Sequence, residues 1–471
     1  MTGKKDGLPN VVWIVLDACR MGRMSLYGYG RRTTPVLEKI SRDSTVFESA
    51  ITNAPWTCPS TPCMLTGKYA SQHGIFVYSD KIKTGTTTIT DVLKERGYVT
   101  GSIDAPWVHA MGLHRGFDHN DLENLVSILP KGNTPPESKI DTGLYQKWPF
   151  NVCYHFLSRL GLAEDYNLRR RKRVIRKIKD LSGDKPFFLL VWMLDTHLPY
   201  IPQRKYQRFN SKKRFFLSAE GGIYKNWNRR IRRQNAGEKQ FSDEEIEVLN
   251  DLYDSSVYFS DHQIGEMIGT LEDMGILDDT LMVVTADHGE NIGDHGNMDH
   301  QMSLHETLLR VPLLIRYPHR FPRGKRIPFQ VETKDIFHTL KHVTEVDNKG
   351  EGPAESYLEM IKKSRGKEYT FGEYKVPEWM MNTIKEVGIM EDVPVYRCFV
   401  RSHHFKLIRF GDGTEKLYRI DGDEVEVDPE DYPSQMKSLS AALDNWKESL
   451  DSDTKMSIKG AIERLKGKIK L

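Results

Sequence analysis

The chain is predicted to be an α/β protein: a mostly parallel sheet sandwiched by helices, followed by a small C-terminal antiparallel α+β subdomain. Three observations carry that expectation. Val11–Leu16, Phe187–Leu194 and Leu281–Ala286 are unbroken apolar runs, as expected of parallel strands buried on both faces. Helical patterns alternate with them, which argues for helices on both sides of the sheet. Beyond about residue 346 the texture changes to short strands joined by tight turns.

In chain order, Thr33-Thr34-Pro35 caps a helix running through Ile40, with proline at a first helical position. Asp91–Arg96 reads as helix and Tyr98–Ile103 as strand. Asn167–Leu181 and the unusually long Asp243–Met274 carry helical patterns. Asp278-Asp279-Thr280 turns the chain into the Leu281 strand, and Lys334–Val343 is a further helix. Asn348–Pro353 reads as a flexible connection. After it come strands Arg397–Arg401, Phe405–Phe410 and Lys416–Ile420, with Gly411-Asp412-Gly413 as a turn. The acidic Asp421–Asp431 is expected to be a solvated loop, and residues 434 to 450 a closing helix. The expected division is a catalytic domain over 9–345, with a basic insertion at about 201–240, and an antiparallel subdomain with its helix over 370–471.

A chain of 471 residues can bury a large core. No apolar stretch approaches the roughly 20 residues that span a bilayer, and MTGKKDGLPN lacks the apolar centre of a signal peptide. Five cysteines, odd in number, make a disulfide framework improbable. Cytoplasm is the expected compartment. Between Ile201 and Arg233 stand eleven Lys or Arg against one acid, Glu220, with Phe215, Phe216, Tyr224 and Trp227 interleaved. Three readings are open: a solvated face, a funnel for a polyanionic glycan or lipid headgroup, or contact with an anionic membrane surface. Nucleic acid is not expected, because no recognised module accompanies the charge.

The chemistry is carried by short motifs. Thr57-Cys58-Pro59-Ser60-Thr61 followed by Leu65-Thr66-Gly67 resembles the sulfatase signature Cys-x-Pro-Ser-Arg with its downstream Leu-Thr-Gly, and the register puts Thr57 at the nucleophile position. Three further segments resemble the family in order: Asp17-Ala18-Cys19-Arg20; Asp195-Thr196-His197-Leu198-Pro199-Tyr200; and Asp287-His288-Gly289-Glu290 continuing through His300 and His305-Glu306 to Arg310-Val311-Pro312. The resemblance implies a sulfatase-like fold of the alkaline phosphatase superfamily and hydrolysis or transfer at an anionic ester. Sulfatases oxidise a Cys or Ser at the nucleophile position to formylglycine. Threonine carries a β-methyl and cannot become that aldehyde, so the residue type favours phosphate or phosphonate esters over sulfate. Sulfuric ester hydrolysis without formylglycine and an inactive anion-binding homologue stand as the alternatives.

By resemblance, Asp17, Asp287, His288 and the Thr57 hydroxyl hold one divalent cation, with Mn, Zn, Ca or Mg open. His197 is expected as the general acid, and His300 is next, near where sulfatases often place an anion-binding lysine. Proline at 59 points to a helix starting at the nucleophile, with free N–H groups facing the anion; the bland alternative is that Thr57 merely caps that helix. The sequence departs from the family at Ala18, where a second acid is usual, and at Thr61, where arginine is usual. It also has Asp104–His109 in place of a Gly-Lys-Trp-His segment, with Asp104 free to receive a cationic or hydroxylated part of the substrate. His73 is expected to support the nucleophile helix.

Overall fold

The computed structural model describes residues 7–103, 108, 111–121, 166–200, 202–209, 226–300, 302–344, 355–377, 380–381 and 395–468, those at 166–170, 204, 228 and 451–468 by backbone alone. Asp104, and residues 210–225 of the basic stretch, lie outside the described residues.

Along the chain run β1 (Asn10–Leu16), β2 (Thr45–Ile51), β3 (Val99–Ile103), β4 (His119–Asp121), β5 (Phe187–Met193) and β6 (Thr280–Ala286). β7 (Asn291–Ile292) and β8 (Met298–Asp299) form a small separate hairpin. β9 (Arg310–Arg316), β10 (Lys325–Ile327) and β11 (Val331–Glu332) complete the large sheet. Its order is β10-β2-β9-β6-β1-β5-β3-β4, with β11 also beside β2. β1, β5 and β6 are buried along their whole length, because helices cover both faces and leave no side of these strands in water. β9 pairs antiparallel with both β2 and β6, so the sheet is mixed about a parallel centre. β2 alternates too little to be seen as a strand in the sequence.

α1 (Pro35–Ile40), α2 (Thr57–Thr66), α3 (Tyr166–Leu181), α5 (Asp243–Asp273) and α6 (Asp335–Val343) match the expected helices, while α4 (Trp227–Asn235) lies in the basic stretch, where no helix was expected. α5 starts from a capping box, Ser242 accepting from Glu245 N–H while Glu245 accepts from Ser242 N–H. Among the described residues, no helix is long and apolar enough to cross a membrane.

The second sheet is antiparallel and strictly sequential: β12 (Thr370–Lys375), β13 (Tyr396–Arg401), β14 (Phe405–Phe410), β15 (Glu415–Asp421) and β16 (Asp423–Val427). β16 corrects the expected acidic loop. Its carboxylates point to cations across the ladder, Glu426 to Lys416 at 3.1 Å, so charge does not exclude an edge strand. The closing helix α7 (Pro433–Lys468) packs on β13 and β14 and buries Leu439, Leu443, Trp446 and Leu450. Each such apolar side chain contributes about 1.5–3 kcal/mol.

Candidate active site

Register builds the site. β1 pairs with β6 so that Leu16 faces Ala286, and with β5 so that Leu16 faces Met193. The residues that follow, Asp17, Asp287-His288 and Thr196-His197, therefore leave the same edge of the sheet, where ligands of such folds collect. α2 enters that edge from the side. Its N-cap is Trp56, in extended conformation and without a side-chain cap bond, and Thr57 is the first helical residue. Thr57 is thus not a capping residue. Its hydroxyl lies 3.1 Å from His288 Nε2. Hydroxyls of Thr52 and Ser60 both donate to the Asp287 carbonyl, at 2.7 and 2.6 Å, and tie α2 to the end of β6.

Asp17, Asp287 and His288 are fully buried and present ligand atoms within 4.8 Å of one another. Each carboxylate has one satisfied oxygen. Trp192 Nε1 donates to Asp17 Oδ2 at 2.7 Å, while Ala18 and His288 N–H donate to Asp287 Oδ1 at 3.1 and 2.9 Å. The other oxygens, Asp17 Oδ1 and Asp287 Oδ2, are buried without a hydrogen-bond partner. They face His288 Nε2 at 3.8 and 3.3 Å. His288 Nδ1 sits 2.7 Å from the Gly289 carbonyl, which can only accept, so Nδ1 carries the proton and Nε2 presents a lone pair. Burial holds the imidazole down at about 3, so it stays neutral. Two orphaned carboxylate oxygens and one lone pair converge on a point, a group of donors that could hold a metal ion. The protein alone pushes both acids toward protonation: burial, then Asp287, raises Asp17, and burial raises Asp287 to about 6. The donor set fits a divalent ion.

Ala18 explains the missing second acid. It adopts a left-handed φ of 58°, which turns its N–H onto Asp287, and its carbonyl accepts from Tyr253 at 2.7 Å. The peptide there secures the second acid in place of a carboxylate.

His300 lies beside the centre, its ring 4.4 Å from that of His288 and 5.1 Å from that of His197. Its Nδ1 is 2.7 Å from Asp299 and 3.3 Å from Glu290. Burial works against the charged ring, yet the two carboxylates hold it well above the ordinary histidine range. Asp299 and Glu290 therefore favour the charged form of His300. His197 donates Nδ1–H to the Leu198 carbonyl at 2.8 Å, leaving Nε2 to exchange a proton. Thr196 Oγ1 donates to the Asp17 carbonyl at 2.6 Å and locks this loop to β1.

Sequence reasoning assigned no role to Trp192, Tyr253, Glu290 or Asp299. Only Glu290, next to a motif histidine, carried a local signal. His73 is buried behind α2 with Nε2 3.4 Å from Cys63 Sγ. His295 and His305 stack at 3.9 Å between ring centroids, away from the Asp17 centre, and His305 pairs with Glu424 at 3.2 Å. In the described part of the basic stretch, Arg230 pairs with Glu245 and Arg233 with Glu238, both at 2.7 Å. α4 does reach the site's hairpin, Asn235 donating to the Met298 carbonyl at 2.8 Å.

The fold and motifs agree with known proteins. A family model for sulfatases matches residues 9–346. The chain is 26% identical over 411 residues to an arylsulfatase of Clostridium perfringens, covering 79% of this chain and 82% of that protein. It is 22% identical to an N-acetylgalactosamine-6-O-sulfatase of Bacteroides thetaiotaomicron, with 94% of each covered. Its structure is similar to that of a phosphonate monoester hydrolase from Silicibacter pomeroyi, at TM-score 0.67 and 18% identity over 94% of this chain and 95% of that one. With the motif order, the mixed sheet and the buried acid–histidine centre in place, the match over most of its length shows that the chain belongs to the sulfatase family of ester hydrolases.

Proposed function

We propose that this enzyme cleaves phosphate or phosphonate esters through Thr57, within a catalytic unit of residues 9–345 completed by the subdomain at 370–471. The observation that carries the reading is the Thr57 hydroxyl, at the first turn of α2 and 3.1 Å from His288 Nε2, at the mouth of the Asp17–Asp287–His288 centre. Asp17, Asp287, His288 and Thr57 would hold one divalent cation, which when bound lowers the hydroxyl's pKa and offsets charge on the ester. Thr57 Oγ, its proton passing to solvent, attacks phosphorus and forms a threonyl ester as the bond to the leaving oxygen breaks. His197 Nε2 supplies the proton that the leaving oxygen takes. The His300 cation and the open N–H groups of α2 face the non-bridging oxygens. Water or a second alcohol then releases the phosphoryl group from Thr57.

The competing reading is sulfate hydrolysis, favoured by the arylsulfatase and the N-acetylgalactosamine-6-O-sulfatase among the relatives. Formylglycine releases sulfate by elimination from its aldehyde hydrate; a threonyl sulfate has no such exit. The phosphonate monoester hydrolase among the similar structures supports the first reading.

The test is a side-by-side assay of an aryl sulfate, a phosphate monoester, a phosphodiester and a phosphonate monoester with Mn²⁺, Zn²⁺ and Ca²⁺, before and after chelation. The phospho- or phosphono-esters should be preferred, activity should vanish with the chelator, and Thr57→Ala should cost more than about a thousandfold in kcat with the fold retained. Dominant aryl sulfate turnover with Thr57 unmodified by mass spectrometry would instead establish the sulfatase reading.

A further inference from the structure

A cavity of about 170 Å³ lies between the segment Asn297–His305 and the C-terminal sheet. Arg397 of β13 forms its charged wall. One guanidinium nitrogen donates to the Met302 carbonyl, and the group lies over the Phe410 ring, 5.2 Å from its centroid. Nε is buried and lacks a hydrogen-bond partner. Among the described residues no carboxylate pairs with it: Glu424 is engaged by Lys406 at 2.5 Å and by His305, and Glu426 by Lys416 and Tyr418. Burial lowers the Arg397 pKa, against the electrostatic influence of Tyr374 and Tyr418. A largely desolvated guanidinium without an acid is costly, and its planar fork suits a tetrahedral or planar oxyanion. Ser303 lines the same cavity, as do Tyr418 and Lys416, both of which are engaged by Glu426. Asn297–His305 is also the segment that carries His300.

We infer that this cavity is a second anion subsite, in which Arg397 binds a sulfate, phosphate or carboxylate group that the ester substrate carries away from its scissile bond. The preferred substrates are then polyanions with at least two such groups. The inference rests on the ester-hydrolase reading for its substrate, but the subsite itself is tested by binding alone.

In the binding test, thermal unfolding of the full chain is followed with inorganic sulfate against sodium chloride of matched ionic strength. The sulfate-specific rise in Tm should fall by at least half in Arg397→Met and persist in Arg397→Lys. Arg397→Gln repeats the measurement while keeping a donor toward Met302. Full retention of the sulfate effect in both neutral variants overturns the subsite. In the kinetic test, aryl esters with and without a carboxylate on the ring are compared. In Arg397→Met, kcat/KM for the carboxylated ester should drop at least tenfold, and for the plain ester less than threefold. Equal losses on both esters, or loss of the sulfate effect with neither ester changed, overturn the assignment to substrate, the second outcome marking a site for a free anion. If the wild-type chain turns over no ester at all, the proposed function fails, while the unfolding measurements still decide the subsite.

Discussion

At His300 two carboxylates determine the charge of one imidazole. Asp299 and Glu290 raise its pKa against the pull of burial, while His300 in turn holds Asp299 down at about 2. The sign of the consequence is definite. A raised histidine pKa keeps the cation through neutral pH and loses it only as pH climbs past the folded value, so the alkaline limb of kcat/KM lies above the ordinary histidine range. Asp299→Asn removes the nearer carboxylate, and that limb should move down by about one unit or more. A pH–rate profile of the variant checks this, and an unmoved limb would show that His300 does not carry the relevant charge.

Among the elements, the segment after β6 depends most on backbone contact. Gly289 accepts from His288 through its carbonyl and donates to the Leu308 carbonyl at 2.8 Å, and a β-carbon there would sit 1.9 Å from the Thr307 carbonyl oxygen. No rotamer change relieves a clash with backbone. Gly289→Ala should push His288 away from Asp17 and Asp287, with a loss of roughly a hundredfold in kcat/KM, since a displacement near 1 Å has effects of that order. Metal analysis of the purified variant should show lowered occupancy alongside the kinetic loss. Normal occupancy and normal rate would mean that the β6 segment yields instead.

For the whole molecule, one link between the C-terminal sheet and the rest runs through a fully buried lysine. Lys406 of β14 meets Glu424 of β16 at 2.5 Å, the Leu304 carbonyl at 2.5 Å and Glu306 at 3.4 Å. Arg401 of β13 also pairs with Glu306, at 3.0 Å. Lys406→Met leaves Glu424 buried without its main counter-charge, which should cost about 3–5 kcal/mol of stability. Urea unfolding measures it, and the loss should be largest in the transition that separates the C-terminal sheet, if two transitions are seen. A change under about 1 kcal/mol would show that the other bonds between the sheets, among them Asn53 to Phe371 and Phe371 to Glu332, suffice to join them.

Part of this architecture is legible in the amino-acid sequence. Apolar runs ending in an acid or histidine need only local chemistry, so β1, β5 and β6 and the residues that follow them can be read directly from residue order. The spacing of α5 and the cap at Thr33-Thr34-Pro35 are equally local. The convergence of Asp17, Thr57, Asp287 and His288 follows from motif order, while their separation of a few ångströms depends on strand register, which pairs residues some 270 positions apart. Other features have no local trace. The direction of β9 is decided by its neighbours in the sheet, and β16 is held as a strand by cations on β15 rather than by its own composition. The charge of His300, the orphaned oxygens of Asp17 and Asp287, and the unpaired Arg397 arise only when distant side chains share low-dielectric space. Residue types and spacing therefore determined the family, the central strands and the candidate site residues. Tertiary packing decided which charges are compensated and which are left for a ligand, because the cost of an unpaired charge appears only once water has been excluded.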